Sequence, residues 1–229
     1  MTILECLMTT DWQPVYLSIK VALFSVAIVA ILGVAGGYFM VKYEFFGKSV
    51  IEALFTLPLV MPPIVTGFLL LFLIGKKGVL GGFLYEYFDF QLVFTPYAAI
   101  IAGAVVSFPL MYQNTKSSFQ SIDKKLIEAA KTLGASEWKI FHTIILPLSV
   151  RGLSSGIILS FARALGEFGA TIMVAGNIPG KTQTIPLAIY FATQSNNLTQ
   201  AGIYVLIISG MTFFILFFLN NWLQRNVKH

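Results

Sequence analysis

The chain has 229 residues, of which 57% are hydrophobic and only 11% charged, and its mean hydropathy is +0.81. A soluble domain carries about twice that charge, and a globule of this size cannot bury so many apolar side chains, so the composition excludes a soluble domain and indicates an integral membrane protein. The formal net charge of +5 fits the lysine and arginine bias of cytoplasmic loops, and no nucleic-acid partner is expected.

The opening stretch holds Glu5 and Asp11 and has no basic residue before Lys20. The single cysteine, Cys6, leaves no internal disulfide. It reads as an incidental thiol, because a lipid-anchored cysteine follows a signal sequence and only five residues precede it. The two histidines, His142 and His229, give no metal-ligand spacing.

A bilayer-crossing helix takes roughly 20 mainly apolar residues. Five segments qualify, at about Val15–Met40, Val50–Ile74, Phe94–Tyr112, from after Pro147 to Ala175, and Ala201–Leu223. The first is too long for the core of a cleaved signal peptide and reads as an uncleaved span. Residues 75–94 mix glycine, aromatics and a few charges, as an interfacial or partly re-entrant segment does. Residues 182–197 have an apolar centre too short to cross and read as a short helix lying at the outer surface. The expected fold is all-α: one polytopic membrane helix bundle over residues 1–229, with about five transmembrane helices, no internal repeat and no domain linker.

Basic residues set the expected orientation. One set of loops holds Lys42, Lys48, Lys116, Lys124, Lys125, Lys131, Lys139, Arg151, Arg225 and Lys228; the other holds only Lys76, Lys77 and Lys181. The positive-inside rule puts the first set in the cytoplasm. With an odd number of spans, the N-terminus is expected outside and the C-terminus inside, and residues 113–147 form a cytoplasmic loop.

Within that loop, residues 128–147 read EAAKTLGASEWKIFHTIILP. A half-apolar, half-charged helix here can float at the membrane surface, pack on its own bundle, or be presented to another protein as a helix for a groove. Small Ala129 and Ala130 permit close approach of a partner backbone. Gly134 can take the left-handed conformation that ends a helix and turns the chain. Pro147 suits the first turn of the following helix.

The spacing E-A-A, three residues, G, nine residues, I-x-L-P resembles the EAA loop of the membrane subunits of ABC import systems. The resemblance implies that Glu128, Ala129, Ala130, Leu133, Gly134, Ile144, Leu146 and Pro147 couple this chain to cytoplasmic ABC ATPase subunits. No phosphate-cradling G-x-x-x-x-G-K-[ST] phrase occurs in the chain. The chain is therefore expected to bind no cofactor and hydrolyse no ATP itself, with ATP on the partner subunit.

Residues 161–190 read FARALGEFGATIMVAGNIPGKTQTIPLAIY. The phrase resembles the molybdate branch of these permeases; its front half is shared with sulfate permeases. Residues 107–123, SFPLMYQNTKSSFQSID, also resemble that branch, and the likeness covers about residues 50–222. It implies a prokaryotic inner or plasma membrane, a homodimer with the pathway on its two-fold axis, and an extracytoplasmic molybdate-binding protein as partner. Tungstate and sulfate remain alternative cargoes. A secondary anion carrier, which would show inverted repeats, is the alternative of a different class. No nucleophile–base constellation supports a membrane enzyme.

Arg163 and Glu167 lie at i, i+4 inside an expected span. Ionisable groups at that depth are paired, wetted or functional. They read either as an ion pair fixing helix packing or as part of an oxyanion route. Pro58, Pro62 and Pro63 kink the second expected span and free backbone carbonyls. With Thr66, Gly166, Gly169 and Thr171 these residues form the candidate gate.

Overall fold

The computed structural model describes residues 10–225; Glu5, Cys6, Lys228 and His229 lie outside them. Among the described residues every regular element is helical. They are α1 (Gln13–Lys42), α2 (Lys48–Val60), α3 (Pro63–Ile74), α4 (Val79–Phe88), α5 (Pro96–Gln120), α6 (Lys124–Thr132), α7 (Glu137–Ile140), a π-helix (Phe141–Ile145), α8 (Leu146–Leu165), α9 (Gly169–Ala175), α10 (Ile185–Gln194) and α11 (Leu198–Arg225). Five helical runs are long and apolar enough to cross a membrane: Gln13–Lys42, Pro63–Phe88, Pro96–Gln120, Glu137–Leu165 and Leu198–Phe218. The expected all-α bundle is thus present, and the chain is a multi-pass membrane protein.

α1, α5 and α8 form the centre. Lipid tails are as apolar as leucine, so close approach rather than exclusion from water holds such helices together. α1 and α5 run side by side in the same direction. A Cβ at Gly33 would stand 2.6 Å from Met111 Cγ, and one at Gly37 would stand 2.6 Å from Thr115 Cγ2. α8 runs the opposite way along α5. Gly156 faces Met111 and Asn114, the Ser160 hydroxyl donates to the Ser107 carbonyl at 3.2 Å, and Gly103 faces Ala164. The buried Ser25 hydroxyl reaches across to the Ile100 carbonyl at 2.8 Å. Each of these hydroxyls has a partner, as a medium without water requires.

The second and fourth spans differ from expectation. The second, expected as one kinked helix from Val50 to Ile74, is broken. α2 ends at Val60, Met61 and Pro62 are extended, and α3 starts at Pro63. Each of the two prolines pushes its preceding residue out of the helical region and offers no N–H to the ladder, while Pro63 suits the first turn of the new helix. Pro58 is accommodated inside α2. Residues 75–94, expected as an interfacial segment, contain α4. It turns off the end of α3 so closely that a Cβ at Gly81 would strike the Ile74 and Gly75 carbonyl oxygens. The apolar run long enough to cross is therefore Pro63–Phe88.

The fourth span begins at Glu137, earlier than expected, and is interrupted after Leu165. Pro147 does not open a new helix; α7, the π-helix and α8 are one uninterrupted run. The proline ring collides with the carbonyl four residues back, that of Thr143. The wider π-turn accommodates it, and the Leu146 N–H bonds the Phe141 carbonyl five residues back. α5 continues to Gln120, so the link between the third and fourth spans is shorter than 113–147. α10 is packed rather than lying on the surface. Ile185 and Leu187 are fully buried, and the Ile185 N–H donates to the Ser18 hydroxyl of α1 at 2.7 Å.

Candidate functional site

Two features carry chemistry. The first is the elbow between α6 and α7. Asp123 caps α6, accepting from the Lys125 N–H at 2.9 Å. At the other end Gly134 is left-handed, with φ 78°. Its N–H bonds the Lys131 carbonyl at 2.9 Å and the Ala135 N–H bonds the Ala130 carbonyl at 3.0 Å. This is the Schellman arrangement, which closes a helix and reverses the chain. Ser136 then caps α7, accepting from the Lys139 N–H at 3.3 Å.

One face of the elbow is tied down. Ile140 and Ile145 are buried, and the Tyr38 ring of α1 meets Phe141 edge-on at 4.8 Å. Glu137 grips Lys131 at 2.9 Å and Lys42 at 3.0 Å, so one carboxylate joins both arms of the elbow to the end of α1. The other face is bare. Leu133 is 87% exposed and Trp138 73%. Of the residues singled out from the EAA spacing, Glu128, Ala129, Leu133, Gly134 and Pro147 are at the surface, whereas Ala130, Ile144 and Leu146 pack inward.

The second feature lies where the fourth span breaks. Arg163 is in the last turn of α8, and Glu167 stands beyond the helix end, not within a continuous span. The Arg163 guanidinium donates to Glu167 Oε2 at 2.5 Å, and the Ala170 N–H of α9 donates to Oε1 at 2.7 Å. The Glu167 side chain is 2% exposed and that of Arg163 29%. The carboxylate thus receives a charge-assisted bond and caps α9, while part of the guanidinium stays accessible.

The break in the second span adjoins this one. α3 and α9 run alongside each other from neighbouring starts. A Cβ at Gly169 would stand 2.8 Å from Pro63 Cβ, and one at Gly67 would stand 2.7 Å from Ala170 Cα. Pro63, Gly169 and Glu167 are therefore brought together. Thr66 and Thr171 are buried, and the Thr66 hydroxyl has no hydrogen-bond partner. Gly166 and Pro62 are exposed.

Sequence reasoning missed Gly67, whose signal was a small residue one turn after the double proline. It also missed the Lys116–Glu52 pair at 2.6 Å, which joins α5 to α2; Glu52 was readable as an ionisable residue inside an apolar stretch. Gly67→Leu is expected to force α3 and α9 apart. Overpacking costs about 1–3 kcal/mol, so the thermal midpoint of the purified protein should fall by roughly 5 °C. An unchanged midpoint would show that the two half-helices are not held by this contact.

A rigid polytopic bundle with an exposed, left-handed elbow leading directly into a span, and paired breaks beside a buried ion pair, is the architecture of a membrane transport component. The chain belongs to the family of binding-protein-dependent transport system inner membrane components, whose family model matches residues 16–229. It is 50% identical over 91% of its length, and 92% of the relative's, to YvgM of Bacillus subtilis (strain 168), named as a candidate molybdenum transport system permease protein. It is 41% identical to the molybdenum transport system permease protein ModB of Escherichia coli (strain K12), covering 94% of each chain. Its fold matches a chain of a bacterial ABC transporter involved in import of the acidic polysaccharide alginate, with TM-score 0.77 and 15% identity over 97% of this chain and 82% of that one.

Proposed function

We propose that this chain forms the membrane pathway of an ATP-driven molybdate importer and couples to cytoplasmic ABC ATPase subunits through the elbow. The observation that carries this reading is the bare apolar face of Leu133 and Trp138, set on a helical run that continues without interruption into the fourth span. A load on the elbow moves that span as one body. Energy comes from ATP on the partner subunit, and an extracytoplasmic binding protein supplies the cargo. Two copies of the chain enclose the route.

Along the route, Arg163 offers positive charge to an oxyanion while Glu167 competes for the same guanidinium. The anion is attracted but not retained, as a pathway requires. The molybdate reading rests on relatives named for molybdenum transport and on the phrase from Phe161 to Tyr190. The test is uptake of radiolabelled molybdate by vesicles containing this chain, its ATPase and its binding protein. ATP-dependent uptake, competed by tungstate and not by sulfate, is expected; uptake of sulfate in place of molybdate would reassign the cargo.

The proposed orientation has the N-terminus outside and the elbow in the cytoplasm. Cysteines introduced at the exposed positions Trp12 and Ser136, as Trp12→Cys and Ser136→Cys in a Cys6→Ser background, are expected to differ in intact cells. An impermeant thiol reagent should label only the first. Labelling of Ser136→Cys alone would invert the topology.

A further inference from the structure

Behind the elbow lies a cavity of about 470 Å³ whose rim carries Lys42, Lys48, Lys124 and Lys131 against Glu44 and Glu137. We infer that this cavity binds the phosphate group of an anionic phospholipid, with the upper part of the lipid's acyl stem on its apolar floor. Glu137 is shared by Lys42 and Lys131, and Glu44 holds Lys48 at 2.7 Å. Among the described residues no carboxylate lies within ion-pair reach of Lys124. Four lysines against two carboxylates leave the rim with a surplus of two positive charges.

The position selects the ligand. Lys42 ends the first apolar span and Lys48 opens α2, so the rim sits at the level where lipid headgroups lie. Basic pockets between membrane helices at that level take lipid phosphates. The floor, which includes Val41 and Phe119, offers nothing to a free inorganic oxyanion but matches a hydrocarbon stem. Because Lys42, Glu137 and Lys131 all line the cavity, a bound phosphate would share its lysines with the carboxylate that ties the elbow to α1.

The test uses the full chain in nanodiscs of equal phosphatidylglycerol and phosphatidylcholine, released for native mass spectrometry. Wild type is expected to retain phosphatidylglycerol in preference. Lys48→Gln/Lys124→Gln should lower that preference roughly 25-fold, at about a factor of five per lysine near the surface. Val41→Trp, which fills the floor and removes no charge, should lower it too. Equal retention of both lipids by wild type overturns the proposal, and that arm decides even if a variant misfolds. Preference kept in both variants, with wild-type helicity, overturns the location. Complete displacement of the lipid by soluble glycerol phosphate overturns the lipid as occupant.

Discussion

Arg163→Leu is expected to harm the protein more than the double change Arg163→Leu/Glu167→Gln. The single change strands a carboxylate whose side chain is 2% exposed, and breaking a buried pair from one side costs about 3–5 kcal/mol. For a chain of this size that lowers the thermal midpoint by roughly 10 °C. The double change removes the stranded charge. Its glutamine still offers an oxygen to the Ala170 N–H, which Glu167 accepts at 2.7 Å, so α9 keeps its cap. If the pair serves the proposed route, the double variant should assemble with the ATPase near normally yet carry little molybdate, because no guanidinium remains to meet the anion. Assembly by co-purification and uptake by reconstituted vesicles separate the two effects. Near-normal uptake by a well-assembled double variant would reduce the pair to a packing device.

Gly134→Val should strongly weaken coupling. Gly134 has φ 78°, and a Cβ there would meet nothing within 4 Å, so space is not the obstacle. The backbone is. The left-handed region costs an ordinary L-residue about 1–2 kcal/mol and is worst for a β-branched one. Valine would open the Schellman closure and redirect α6, moving Leu133 away from Trp138. Cargo-stimulated ATP turnover is expected to fall at least about tenfold, the equivalent of roughly 1.4 kcal/mol. Gly134→Asn should retain most of it, since asparagine visits the left-handed region. Wild-type stimulation in the valine variant would sink the role of the elbow.

Much of this was legible in the sequence. The crossings follow from length and hydropathy, and the turn at Gly134 from its place after α6. The i, i+4 spacing of Arg163 and Glu167 gave their pairing but not its setting. Nothing in ALGEFGAT states that the helix stops at Leu165 and that the carboxylate turns forward to cap the next one. The double proline announced a kink; that it makes a full break, level with the break in the fourth span, depends on contacts between segments a hundred residues apart. Periodicity cannot see such contacts. The burial of α10 was missed for the same reason: its partner, Ser18, lies near the other end of the chain.

The π-helix has a consequence for angular phase. Ile140 and Ile145 are both buried, yet residues five apart on an α-helix point about 140° away from each other. The wider turn returns them to one side, as if a single residue had been inserted into the rod. Everything before Phe141 is thereby rotated by about 100°, one residue's worth, relative to α8. That rotation lets one stiff rod show Trp138 to solvent while keeping both isoleucines on the core. Removing one residue between Phe141 and Ile145 would leave the rod intact and aim its exposed end in the wrong direction.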